Sequence, residues 1–272
     1  MFEFLIVTGT LFFAFACRSF AHPALRKFGA VAVLAASFLA GYFIGGESLV
    51  WGFAAVAVWF LLPWLDLLTR IRALRLPLDK KLRSRFPPSA DIFPHLRPFT
   101  HEVETAGFKH VRDCGWEWDG MDQFVRFFYE EGSMSQATIN LNRQHHLAVA
   151  YLSLSSRTKD GKVLTTSNYP FGAPMKPNPD QVLNQARTAR TFYDLIAAHR
   201  DFLIRRGVKD RDIEPADPEE LEGLAEREMR DQVNHNLDRG LIKLSGDGTF
   251  RYSWRGLLYL WFQSVKDMVR LS

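Results

Sequence analysis

The stretch Leu49–Arg85, LVWGFAAVAVWFLLPWLDLLTRIRALRLPLDKKLRSR, decides how the rest of the chain is read. It has no charge before Asp66, then carries Arg70, Arg72, Arg75, Lys80, Lys81, Arg83 and Arg85. About 20 apolar residues in a helix cross a hydrocarbon core roughly 30 Å thick. Lys and Arg next to such a helix stay on the cytoplasmic side. The stretch therefore reads as a membrane span running into a cytoplasmic exit.

Two further apolar runs precede it, Phe4–Cys17 and Phe28–Gly45. The sequence predicts transmembrane helices at about 3–20, 28–46 and 49–68, three in all, or two if the shorter first run does not span. Met1, Phe2 and Glu3 lack the basic start of a secretory signal peptide, so the first run is expected to be retained. The loop between the first two runs holds Arg18, Arg26 and Lys27, whereas Gly45-Gly46-Glu47-Ser48 has no cation. The bias places the N-terminus outside, the glycine hairpin outside, and everything after Arg70 in the cytoplasm, as in a bacterial-type inner-membrane protein. The partners expected here are the lipid bilayer and, for the seven cations from Arg70 to Arg85, anionic head groups.

The whole chain is 47% apolar and 24% charged, with a mean hydropathy of -0.12, so the residues after the spans must be water-soluble. The organisation expected is a transmembrane region at 1–69, a basic, proline-rich juxtamembrane linker at 70–98, an α+β meander domain at 99–207, and a C-terminal helix, hairpin and helix at 208–272. Pro77, Pro87, Pro88, Pro94 and Pro98 make the linker read as a stiff, extended spacer. A short helix from Pro98 to Ala106, ended by Gly107, leads into the next domain.

From Phe108 to Tyr169 the pattern alternates with period two. Trp116 and Trp118 flank Glu117, Asp119-Gly120 marks a turn, and Phe124–Glu131 is strongly aromatic. Ala137, Ile139 and Leu141 alternate with Thr138, Asn140 and Asn142, which is the signature of a strand with one polar face. Four or five antiparallel strands in a meander follow. The cover of this sheet is expected to be a seven-turn amphipathic helix starting after Asn178, at Pro179 and Asp180, and closing near Gly207. The fold class is thus membrane-anchored α+β.

Asp217-Pro218-Glu219-Glu220 opens another helix, which ends at Gly240; Ser245-Gly246-Asp247-Gly248 turns a hairpin, and Trp254–Arg270 forms a last helix. This order is similar to the recognition helix and wing of winged-helix domains, over 217–270. DNA binding draws its affinity from cations facing phosphates. The helix offers Glu219, Glu220, Glu222, Glu226, Glu228 and Asp231 against Arg227 and Arg230, so nucleic acid is not an expected partner. The terminal helix has a wide apolar face edged by Arg255, Lys266 and Arg270. Burial in its own core is favoured over lying on the inner leaflet.

No catalytic set is evident. His145 and His146 are adjacent and suit a loop better than joint ligation, His101-Glu102 lacks a second histidine at zincin spacing, and His110, His199 and His235 are solitary. No metal or cofactor is expected. Cys17 and Cys114 form no disulfide framework, and Cys114 among aromatics is expected to be inert. The candidate ligand-lining residues are Trp116, Trp118, Thr138, Asn140, Asn142 and Thr166. The leading expectation is a protein-interaction or assembly module, engaging a protein partner or a homo-oligomer. A membrane-tethered small-ligand sensor or carrier is the alternative, and an enzyme with a nonstandard site the second alternative.

Overall fold

The computed structural model describes residues 2–20, 22–144 and 147–271. Helices α1 (Phe2–Ser19), α2 (Pro23–Ile44) and α3 (Leu49–Asp66) form an antiparallel unit, and all three are long and apolar enough to cross a membrane. Small residues let α2 and α3 approach: a methyl placed on Gly41 would lie 2.5 Å from the Trp51 carbonyl. Trp59 Nε1 donates to Ser37 Oγ at 2.9 Å, which in turn donates to the Val33 carbonyl, so both polar groups are paired within the helices. Pro63 lies inside α3, and one wider helical turn, Leu67–Ile71, follows directly.

The next residues do not form a free spacer. Leu76–Pro77 is strand β1 and Arg83–Ser84 is strand β2, each in a different sheet. Leu82 between them is buried, and its N–H donates to Glu226 at 2.6 Å. The proline-rich part after β2 then leads to α4 (Leu96–Thr105), which ends at Gly107 with φ +95°. The expectation of a stand-off linker is corrected here. Its alternating apolar positions, Leu76, Leu78 and Leu82, find walls to bury against, and its prolines fall where no ladder donor is needed.

Strands β3 (Lys109–Trp118), β4 (Met121–Glu130), β5 (Ser135–Gln144), β6 (Leu147–Arg157) and β7 (Val163–Ser167) form the antiparallel meander the alternation predicts. β2 adds to its β3 edge. At the other edge β8 (Gln181–Gln185) pairs with β7 in parallel. The predicted helix from Asn178 is therefore wrong in its first half. Asn178-Pro179-Asp180 makes a turn, with the Gln181 N–H on the Asn178 carbonyl at 2.9 Å, and Asn, Pro and Asp serve turns as readily as helix starts.

The helix α5 (Phe192–Arg205) begins instead at Thr191, whose side chain accepts from the Asp194 N–H while Asp194 accepts from the Thr191 N–H. This Thr-x-x-Asp box was the true start signal. Thr191→Ala is expected to cost about 1 kcal/mol, read as a lowered urea midpoint of the soluble region.

Period two now sorts the sheet into two faces. Phe124, Phe128, Ile139, Leu141, Leu152 and Leu154 point to one side and pack on Val103 of α4 and on Phe192 and Leu195 of α5. Cys114, Val125, Phe127 and Tyr129 point to the other, where α6 (Leu221–Asp238) lies across them through Leu221 and Met229. The sandwich thus has a third layer that the sequence reading assigned to a separate C-terminal piece.

After α6, β9 (Ile242–Gly246) and β10 (Thr249–Tyr252) form the predicted hairpin, but β1 occupies its outer edge, so it is no free wing. Helix α7 (Trp254–Leu271) closes the chain. Its Leu257 is fully buried and joins a small core with Leu67, Val233, Ile242 and Phe250, while Trp254 and Phe262 stay exposed.

Candidate functional site

On the second face of the sheet α6 packs through Leu221 and Met229 and leaves hollows between itself and the strands. A cavity of about 340 Å³ lies over Gln136, Thr138, Asn140, Tyr151 and Thr165, roofed by Ala225, Glu228 and Met229. A second, of about 440 Å³, lies over Trp116, Asn142 and Val149 and reaches Ile71 and Leu74 just after α3 and Leu260 on α7. Gln123, Met229 and Gln232 line both, so the two share a wall. Part of the roof is the loop at 173–177, held down where Asn236, buried in α6, pairs with both the N–H and the carbonyl of Lys176.

Period two brings Trp116, Thr138, Asn140 and Asn142 to these cavities. Thr166 goes elsewhere. It is fully buried on the opposite face, where His199 Nδ1 meets its hydroxyl at 2.9 Å, and its neighbour Thr165 takes the groove position. Trp118 lies outside both cavities, its Nε1 donating to the Arg75 carbonyl at 2.7 Å.

The larger cavity holds one residue that the sequence reading used only as a topology signal. Lys80 places its ammonium 4.6 Å from the centre of the Trp116 ring. It lines the apolar hollow, and burial lowers its pKa to about 8. A cation over an indole face is attracted by the ring quadrupole, and burial without a carboxylate partner disfavours the charge. The group is thus an ammonium at neutral pH that a buried anion would relieve. Asn142 lines the same hollow, and its Oδ1 is buried with no hydrogen-bond partner among the described residues.

The other cations of the run are divided. Arg85 bonds Asp122 and Glu117, the guanidinium of Arg72 lies 4.7 Å from the Trp254 ring centre, and Arg70 pairs with Asp66 at 3.6 Å. Arg75, Lys81 and Arg83 are exposed, the last two lining a basic hollow of about 460 Å³ with Lys80 and Arg85. Of the residues lining the smaller cavity, Gln136 and Glu228 both accept from Arg157, Gln136 at 2.9 Å. Burial pushes the Glu228 carboxyl above the usual carboxylate range, and Arg157 opposes it.

Cys114 and the Ser156–His199 pair are closed off. Cys114 is fully buried, and burial together with Glu222 pushes its thiol up to about 12, so little thiolate forms. Ser156 Oγ lies 3.0 Å from His199 Nε2, a nucleophile-and-base spacing, but both are buried and neither lines a cavity named here. Burial lowers the His199 pKa to about 4, and its neutral ring joins Ser156 to Thr166. Among the described residues no three His, Cys, Asp or Glu gather as a metal site, and the pair His145-His146 lies outside those residues. What the arrangement can do is hold a molecule with an anionic head and an apolar body. No family model, curated protein or solved structure matches the chain.

Proposed function

We propose that the chain is a membrane-anchored ligand-binding protein, a sensor or carrier, whose α+β domain faces the cytoplasm and takes an anionic amphiphile in the groove between sheet and α6. One observation carries this reading: the Lys80 ammonium, seated on Trp116 and with no carboxylate at ion-pair distance among the described residues, lines a largely apolar hollow of about 440 Å³ whose one carboxylate, Asp122, is already engaged by Arg85 and Arg143. Ligand sites are typically of this size, apolar with a few converging polar groups. The cytoplasmic placement is supported by the cations at 18–27 and 70–85 on one side of the spans.

The test uses the full-length chain in lipid nanodiscs titrated with dansylaminoundecanoate, with empty nanodiscs subtracted. Saturable binding is expected, about tenfold weaker in Lys80→Met at pH 7, which corresponds to about 1.4 kcal/mol. Lys80 is charged below its free pKa of about 8. Affinity for the carboxylate is therefore full below that pH and declines above it, and Lys80→Met abolishes the decline. Equal binding of the matching uncharged alcohol, or no binding beyond empty discs, overturns the reading.

Docking of a protein partner or a second copy is the competing proposal, and Phe86 favours it: the ring is 95% exposed and is followed by Pro87 and Pro88, which stiffen its backbone.

A further inference from the structure

We propose that α7 is an interfacial helix whose outer stripe is immersed in the same bilayer that α3 crosses. The first argument is depth. Trp261 Nε1 donates to the Phe60 carbonyl at 2.7 Å, and its ring stacks on Trp64 with centroids 6.2 Å apart. Phe60 precedes Asp66, the first charge of that span, by six residues, or about 9 Å at 1.5 Å per residue. The middle of α7 is thus fastened to a part of α3 that is still apolar.

The second argument is the face left over. Trp254, Leu258 and Phe262 are 59%, 44% and 51% exposed at four-residue spacing, and Val269 continues the stripe. Residues spaced in this way share one helix face. Exposed Arg255 and Lys266 border it. An apolar stripe carrying tryptophan and edged by cations is the composition of helices that lie in the head-group boundary. The N-terminal end is fixed there as well, because Arg72, at the basic exit of α3, stacks its guanidinium on Trp254.

The occupant follows from continuity. Leu61, Leu62 and Leu65 on α3 and Leu68 on the turn after it are exposed, and they need lipid to cover them. The α7 stripe lies beside this surface through the Trp261 contact, so the covering that serves one serves the other.

The test places a nitroxide label at Leu258→Cys in the full-length Cys17→Ala, Cys114→Ala chain in phosphatidylcholine–phosphatidylglycerol nanodiscs. Collision with oxygen, which prefers lipid, is compared with collision with a water-soluble nickel chelate. The oxygen-to-nickel ratio at 258 is expected to match that of a label at Leu61→Cys on α3, and to exceed about tenfold that of a label at exposed Glu104→Cys on α4. A second label at Phe262→Cys must agree and guards against a local failure to fold. A water-like ratio at both sites overturns the proposal, as does shielding from both reagents, the pattern of a protein partner or a second copy on the stripe. The readout does not depend on any ligand in the groove.

Discussion

Replacing Phe128 by alanine is expected to remove about 3–5 kcal/mol from the stability of the soluble region, the usual cost of emptying a buried aromatic site. The ring is fully buried in the core between the sheet and helices α4 and α5, with the His110 ring packed edge to face and the two ring centres 5.7 Å apart. Strands hold it from both sides along β4, so the backbone cannot collapse into the void. Stability of a domain this size is typically about 5–15 kcal/mol, so a large share is lost and the variant is expected to bind hydrophobic dye at growth temperature. Urea titration in detergent, followed by tryptophan fluorescence, reads the shift directly. Phe86→Ala, removing an aromatic ring that is 95% exposed, is expected to change the midpoint by under about 0.5 kcal/mol. Equal effects at the two sites would refute the assigned core.

Arg126→Met is the second large effect. Arg126 holds both carboxylate oxygens of Asp113, at 2.7 and 2.6 Å, and donates to Thr100 on α4 at 2.9 Å, with both charged side chains mostly buried. Burial alone would raise the Asp113 pKa, but hydrogen bonds from Arg126 and His110 outweigh it and hold the carboxyl below its ordinary value. Removing the arginine leaves a poorly solvated carboxylate, at a cost of about 2–4 kcal/mol at pH 7. The sign with pH follows. A depressed folded pKa contributes stability above the unfolded value of about 3.9, and that contribution is lost as pH falls through the folded value. The gap between wild type and variant is therefore expected to be widest near neutrality and to narrow below about pH 4. A gap that stays constant from pH 7 to pH 3.5 would show that Arg126 acts through packing alone.

Much of the meander was legible because one face of every strand is buried, which writes period two into the chain. The alternation of Ala137, Ile139 and Leu141 with Thr138, Asn140 and Asn142 predicted which side chains share a face, and the pairing register keeps them there. Thr166 shows the limit: a reading off by one residue sends the side chain to the opposite face. β8 was illegible because a parallel edge strand is specified by its neighbour β7 and not by its own short pattern, so turn residues at 178–180 were read as a helix start. The two-residue strands β1 and β2 carry no periodicity at all. Lys80 counted among seven cations, and its difference from the others lies in Trp116, a partner distant in sequence. The interior of α7 was read correctly as apolar, but only tertiary placement tells which half of that apolar surface α3 and the domain cover.

The two short strands that follow the third span carry a mechanical consequence. A polypeptide leash would let the domain wobble over the helices, whereas residues 76–77 and 83–84 are each hydrogen-bonded into a separate sheet, the first beginning 5 and the second 12 residues after Ile71. The segment works as a splint bolted at two places. A change in the tilt of α3 is expected to pull on both sheets through those two attachments, with Lys80 on the segment between them.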